Sequence, residues 1–220
     1  MRQETDCRMM HGRIICMHIG VCHCKSAGKP IYNRKEFIGG DDMKRLLVVV
    51  DMQKDFVDGS LGTAEAQAIL PAVKKKIESY PADCVYATLD THQSNYLNTN
   101  EGRHLPVEHC IEGTEGWRIH PEIADSLKHA VFVVKPTFGS TKLAEMLKKE
   151  NEKEPIAVEL IGLCTDICVI SNALLLKAAM PEIDISVDAS CCAGVTPEKH
   201  AAALETMRSC QIEVVDGNAD

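Results

Sequence analysis

The 220-residue chain has no excess of positive charge, no long apolar run and few aromatic side chains. Lys and Arg number 24 against 32 Asp and Glu, a formal net charge of -8. That sign argues against a nucleic-acid groove or an acidic membrane surface as a partner. No apolar run approaches the roughly 20 residues a helix needs to cross a bilayer. No segment carries the apolar h-region of a signal peptide. Phe, Tyr and Trp make up only 4% of the residues.

Cysteine is plentiful by contrast, with 11 residues, an odd number. In a small secreted chain that would suggest a disulfide framework. Here the cysteines fall inside strand-like and helix-like segments. They read as reduced thiols of a cytoplasmic protein, most of them acting as small apolar groups.

Residues 1–42 do not conform to the rest. They hold no sustained period of 2 or 3.6, are rich in Cys, His and Met, and carry a net +2, whereas the remainder carries -10. A metal knuckle from Cys16, Cys22, Cys24 and His18 or His23 lacks the paired CxxC spacing of zinc sites. The expectation is a disordered leader or an over-extended start, with the working domain at 43–220.

From Met43 the pattern is strand, then helix, repeated. "RLLVVVDM" is a continuous β-branched run fit for burial on both faces. "AEAQAILPAVKKKIESY" is amphipathic, and Pro71 should kink or split it. "DCVYATLD", "AVFVVK", "IAVELIGL", "IDISVDA" and "QIEVVD" supply further strands. "DICVISNALLLKAAM" is apolar nearly all round and reads as a buried helix. Thr196 and Pro197 suit the N-cap and first turn of the last helix. Alternation of this kind implies a three-layer αβα domain on a six-stranded parallel, doubly wound sheet. Such sheets bind ligands beyond the carboxyl ends of their strands.

The strand ends carry Asp51, Asp90, Lys135 and the turn "LCTDIC". Cys168 falls near a helix N-terminus, where unpaired N–H groups stabilise a thiolate and can hold an oxyanion. Core packing is the blander account of Cys164 and Cys168, and a metal pair lacks a matching second pair. Alone, Lys135 suits a solvated strand end and Asp51 a turn. Together, carboxylate, cation and thiol form a chemical unit: the first moves a proton and the second lowers the thiol pKa. In the loop "DTHQSNYLNTNEGRHLPVEHC", Asp90 and His92 are two residues apart and share a face if extended. With His109 they suit zinc, iron or manganese with open positions. Glu101 and His104 are further candidates.

The segments "VVVDMQKDF", "DTH…PVEHC" followed by "GTEGW", "KPTFGS", "GLCTDICV" and "DASCCAGVTPEKH" resemble, in order, the nicotinamidase and pyrazinamidase branch of the isochorismatase-like cysteine hydrolase superfamily. The resemblance spans Met43 to the C-terminus. It implies a catalytic triad of Asp51, Lys135 and Cys168, with an oxyanion hole from the backbone N–H groups of Cys164 and Cys168 and a cis peptide bond before Cys164. It implies that Phe56 lies against a pyridine ring. It also implies one divalent metal, zinc before iron or manganese, on Asp90, His92, His109 and, less directly, Glu101. The implied reaction hydrolyses nicotinamide to nicotinate and ammonia through a Cys168 thioester, a step of NAD salvage. The implied partner is a small-molecule amide, and a homo-oligomer is left open. The alternative is a hydrolase of the same fold acting on a carbamoyl or ureido amide or on isochorismate. Two positions depart from the pattern. Ile167 precedes the nucleophile where some nicotinamidases have His or Tyr, and Pro106 stands in place of a pocket aromatic. Trp117, Tyr96 and Phe138 are the candidates to compensate.

Overall fold

The computed structural model describes residues 43–217. Residues 1–42, where a leader and a candidate knuckle were expected, lie outside the described residues. β1 (Lys44–Val50) is followed by three short helices, α1 (Lys54–Val57), α2 (Ala64–Ala68) and α3 (Leu70–Glu78). The expected split at Pro71 is there, with the Thr63 hydroxyl capping α2 by accepting from Ala66 N. β2 (Val85–Asp90) leads into a long segment holding α4 (Asn100–His104) and α5 (Pro121–Ala124). Then come β3 (Val131–Lys135), α6 (Thr141–Lys153) and β4 (Ile156–Leu163). A π-helical turn, Thr165–Val169, runs into α7 (Ile170–Ala179). β5 (Asp184–Ala193), α8 (Pro197–Ser209) and β6 (Glu213–Val215) finish the domain.

The six strands are all parallel, in the order β3-β2-β1-β4-β5-β6. α3 packs on α5, whereas α6, α7 and α8 pack in sequence on one another. Right-handed crossovers put these two sets on opposite faces of the sheet. Residues 46–50 of β1 are all buried, as a central strand covered on both faces requires. Strand order reverses between β1 and β4, which makes their carboxyl ends the switch point of the sheet.

Two expectations need correction. α7 is not buried all round: Asn172, Ala173 and Leu176 are buried, but Ile170, Leu174 and Leu175 are only partly covered. It lies in an outer layer, so only its inner face meets the core. β5 does not end at Ala189 but runs on through "SCCA", with a register irregularity against β4 between Leu160 and Gly162. Asp188 can sit inside a strand because Lys76 Nζ lies 2.7 Å from its carboxylate and Ser190 donates to it. The seven cysteines from Cys84 to Cys210 are free thiols, and only Cys210 is exposed. No helix among the described residues is long and apolar enough to cross a membrane.

Candidate active site

Three of the strand-end residues converge. Lys135 is fully buried, and its ammonium lies 2.6 Å from Asp51 Oδ2 and 3.2 Å from Asp90 Oδ1. It also donates to Cys168 Sγ at 3.4 Å. The register explains the meeting: Asp90 pairs with Lys135 across β2 and β3, and Asp51 follows the last residue of the neighbouring β1. Asp51 sits at φ 47°, in the left-handed region that Asp tolerates better than most residues. Its other oxygen accepts from Thr88 Oγ1 at 2.6 Å.

Electrostatics set the resting protonation. Burial raises the Asp51 pKa above the usual carboxylate range, with the Lys135 charge opposing. Burial works against the Lys135 ammonium, but Asp51, Cys168 and Asp90 outweigh it and keep it protonated. Burial and the Asp51 charge hold the Cys168 thiol well above its ordinary value. The resting site is therefore a thiol beside a carboxylate of raised basicity and a fixed cation, a combination suited to proton transfer.

Cys168 sits in the turn that joins β4 to α7. The Leu163–Cys164 peptide bond is cis. Gly162, at φ 116°, lies so close to β1 that an added Cβ would stand 2.2 Å from Val50 O. Only glycine fits this crossing, and it sets the approach of the cysteine turn to Asp51. Cys164 lines the same cavity as Cys168, and burial pushes its thiol pKa up to about 12.

Beside the thiol lies a second cluster. One donor atom from each of Asp90, His92, Glu101 and His109 falls within 4.8 Å of the other three. His109 Nδ1 meets Val107 O at 2.8 Å, which fixes the tautomer and leaves Nε2 as a lone-pair donor. That Nε2 lies 3.7 Å from both Asp90 Oδ2 and Glu101 Oε1. His92 Nε2 is buried with no well-formed hydrogen bond, 3.0 Å from Asp90 Oδ2. Two carboxylates and two imidazole nitrogens aimed at one point fit a divalent cation. His104 is not in this group; it is exposed, and its ring nitrogen meets Asn100 O instead.

A cavity of about 250 Å³ opens onto both clusters. Cys168, Asp90, Glu101 and His109 form its polar end, and Phe56, Leu61, Leu105, Phe138, Ile167 and Val195 its apolar walls. Asp51 and Lys135 lie behind the thiol and do not line it. The Phe56 ring centroid is 5.4 Å from that of His109. Of the three candidate compensating aromatics, Phe138 alone lines the cavity. Tyr96 packs on His92 and His109 at 4.7 and 4.9 Å and supports the second cluster from behind. Trp117 donates to Thr91 Oγ1.

Several supporting residues escaped the sequence reading. Gln53 brackets Asp90, donating to its carbonyl and accepting from its N–H, each at 2.8 Å. Asp55 accepts from Cys110 N, next to His109. Asn172, almost wholly buried, donates to Cys168 O and Phe138 O and accepts from Ser140 N. The available signal was a polar residue inside an apolar stretch, as in "VISNALLL".

The Isochorismatase domain family matches residues 45–219. A nicotinamidase/pyrazinamidase of Mycobacterium tuberculosis is 29% identical over 187 residues, 78% of this chain and 98% of that protein. Among solved structures, the chain is similar to the pyrazinamidase of Pyrococcus horikoshii in complex with zinc. That match has 27% identity and a TM-score of 0.65, covering 79% of this chain and 99% of the other. It is also similar to N-carbamoylsarcosine amidase from Thermoplasma acidophilum. There the identity is 25% and the TM-score 0.64, over 81% of this chain and 99% of the other.

Proposed function

The chain belongs to the isochorismatase family, and from that premise we propose that it is a metal-dependent cysteine amidohydrolase converting nicotinamide and water to nicotinate and ammonia. The observation that carries this reading is the contact of Lys135 with Asp51 and Cys168 at the switch point, with the thiol facing a cavity. The similarity to nicotinamidases and pyrazinamidases supports the substrate class.

In this mechanism Asp51 takes the Cys168 proton as sulfur attacks the carboxamide carbon. Lys135 holds Asp51 in place and stabilises negative charge developing on sulfur. The carbonyl opens to an oxyanion held by the N–H groups of Cys164 and Cys168. Asp51 returns its proton to the departing nitrogen, ammonia leaves, and a thioester remains. Water then gives a proton to Asp51 and adds to the thioester. The sulfur departs and recovers its proton from Asp51. Asp90, His92, Glu101 and His109 would hold the metal, with zinc proposed as the ion. When bound there, a divalent ion supplies a fixed positive charge that can anchor a ring nitrogen, directly or through water. Phe56 and Phe138 provide apolar faces for the ring.

The similarity to N-carbamoylsarcosine amidase favours a second reading, hydrolysis of a carbamoyl or ureido amide. An ammonia-release panel of nicotinamide, pyrazinamide, ureidoacrylate and N-carbamoylsarcosine separates the two, run with and without zinc, iron and manganese. The proposal expects the pyridine and pyrazine amides to lead and added metal to matter. Turnover confined to the other two would replace it with the second reading.

A further inference from the structure

The turn Thr165–Val169 is held from outside by the junction between β5 and α8. The Thr165 side chain is wholly buried, and its hydroxyl meets His200 Nδ1 at 2.8 Å. His200 lies in the first turns of α8 and is half-buried. Burial lowers its pKa, with Asp166 and Asp216 opposing. The next residue of the turn, Asp166, accepts from Val195 N at 2.9 Å. Gly194 permits this closeness: a Cβ there would stand 2.8 Å from His200 N and 2.9 Å from Asp166 Oδ1. α8, through His200, and the junction before it, through Val195, thus grip two consecutive residues lying directly between Cys164 and Cys168.

Those two cysteines supply the backbone N–H groups assigned above to the oxyanion. Their relative placement is decided by Thr165, Asp166 and Ile167, the residues that join them. A small shift at the Thr165–Asp166 end of this turn would misalign the two donors relative to each other, whereas the Cys168 end is tied separately, its sulfur by Lys135 and its carbonyl by Asn172. We propose that His200 is a positioning residue that, through Thr165, fixes the oxyanion-binding geometry of the Cys164–Cys168 turn. The inference rests on the oxyanion assignment but not on nicotinamide as substrate.

The test pairs two reagents on the intact enzyme, both read at Cys168 by peptide mass spectrometry. Acylation by p-nitrophenyl acetate passes through an oxyanion: the S–C bond forms and p-nitrophenol leaves. Alkylation by iodoacetamide displaces iodide and forms no oxyanion. His200→Ala should slow acylation about tenfold, a fraction of the effect of losing a whole oxyanion donor. Alkylation should stay within about twofold, since no donor acts on it. His200→Asn, which puts an amide where Nδ1 stood, should recover most of the acylation rate. Thr165→Val should reproduce the loss, and the His200→Ala/Thr165→Val double variant should be no worse than either single change. Equal slowing of both reactions, no slowing of acylation, or no recovery by asparagine overturns the proposal. A wild type that is acylated but releases no ammonia from nicotinamide sinks the substrate reading alone.

Discussion

The Lys76 cluster and the Lys135 cluster are both built from carboxylates in or just beyond strands around one lysine, yet they end differently. Lys76 Nζ lies 3.0 Å from Glu159 Oε1 and 2.7 Å from Asp188 Oδ2. Tyr80 takes the other Glu159 oxygen at 2.6 Å, and Ser190 takes the other Asp188 oxygen. Each carboxylate oxygen there faces a protein group, so the network closes on itself, although Lys76 meets Asp188 Oδ2 as an ion pair without hydrogen-bond geometry. The Lys135 cluster is more deeply buried and does not close. Lys135 reaches a thiol that faces a cavity, and Asp90 Oδ2 faces two imidazole nitrogens with room for a cation. A charge network at the solvent edge of the sheet whose acids are all paired with protein groups holds strands in place; a fully buried one that sets a thiol and a metal-ligand donor set at a cavity is arranged for chemistry.

The sharpest way to break this contrast is Cys168→Ala. It should lower ammonia release by roughly 10⁴-fold or more, as loss of a nucleophile does, measured against a Cys164→Ala control that keeps most of its activity. Next is Asp51→Asn, expected to cost roughly 10³-fold in kcat while leaving KM nearly unchanged, because proton transfer rather than binding is lost. His109→Ala should weaken metal affinity by about 100-fold or more, read by metal analysis after dialysis. The smallest effect on activity belongs to the closed network: Asp188→Ala should leave kcat within about twofold but destabilise the fold by about 3 kcal/mol, since Lys76 and Ser190 lose their buried acceptor. Burial alone would raise the Asp188 pKa, but Lys76 and Ser190 hold it below the ordinary value. A carboxylate lowered on folding stabilises above its unfolded pKa of about 4 and loses that contribution as pH falls through the folded value. Asp188→Asn should therefore flatten the acid limb of melting temperature against pH, below about pH 4.

The sheet was legible in the sequence because its central strands are continuous β-branched runs separated by helical periods. Asp51, Asp90, Lys135 and the cysteine turn were legible because parallel topology brings strand ends together. The run of β5 past Ala189 is not legible, because "DAS" looks like a turn unless Lys76 is there to neutralise Asp188. The apolar character of α7 was clear, but not which of its faces meets the sheet. Gln53, Asn172 and His200 have no period and no spacing rule. Each acts through bonds to residues far off in the chain, and these exist only once the strands are placed.

The most direct test is rapid quenching of the enzyme with nicotinamide, followed by peptide mass spectrometry. A nicotinoyl adduct is expected on the peptide holding both cysteines, retained in Cys164→Ala and absent in Cys168→Ala. An adduct retained in Cys168→Ala, or ammonia release from that variant at the wild-type rate, would contradict it.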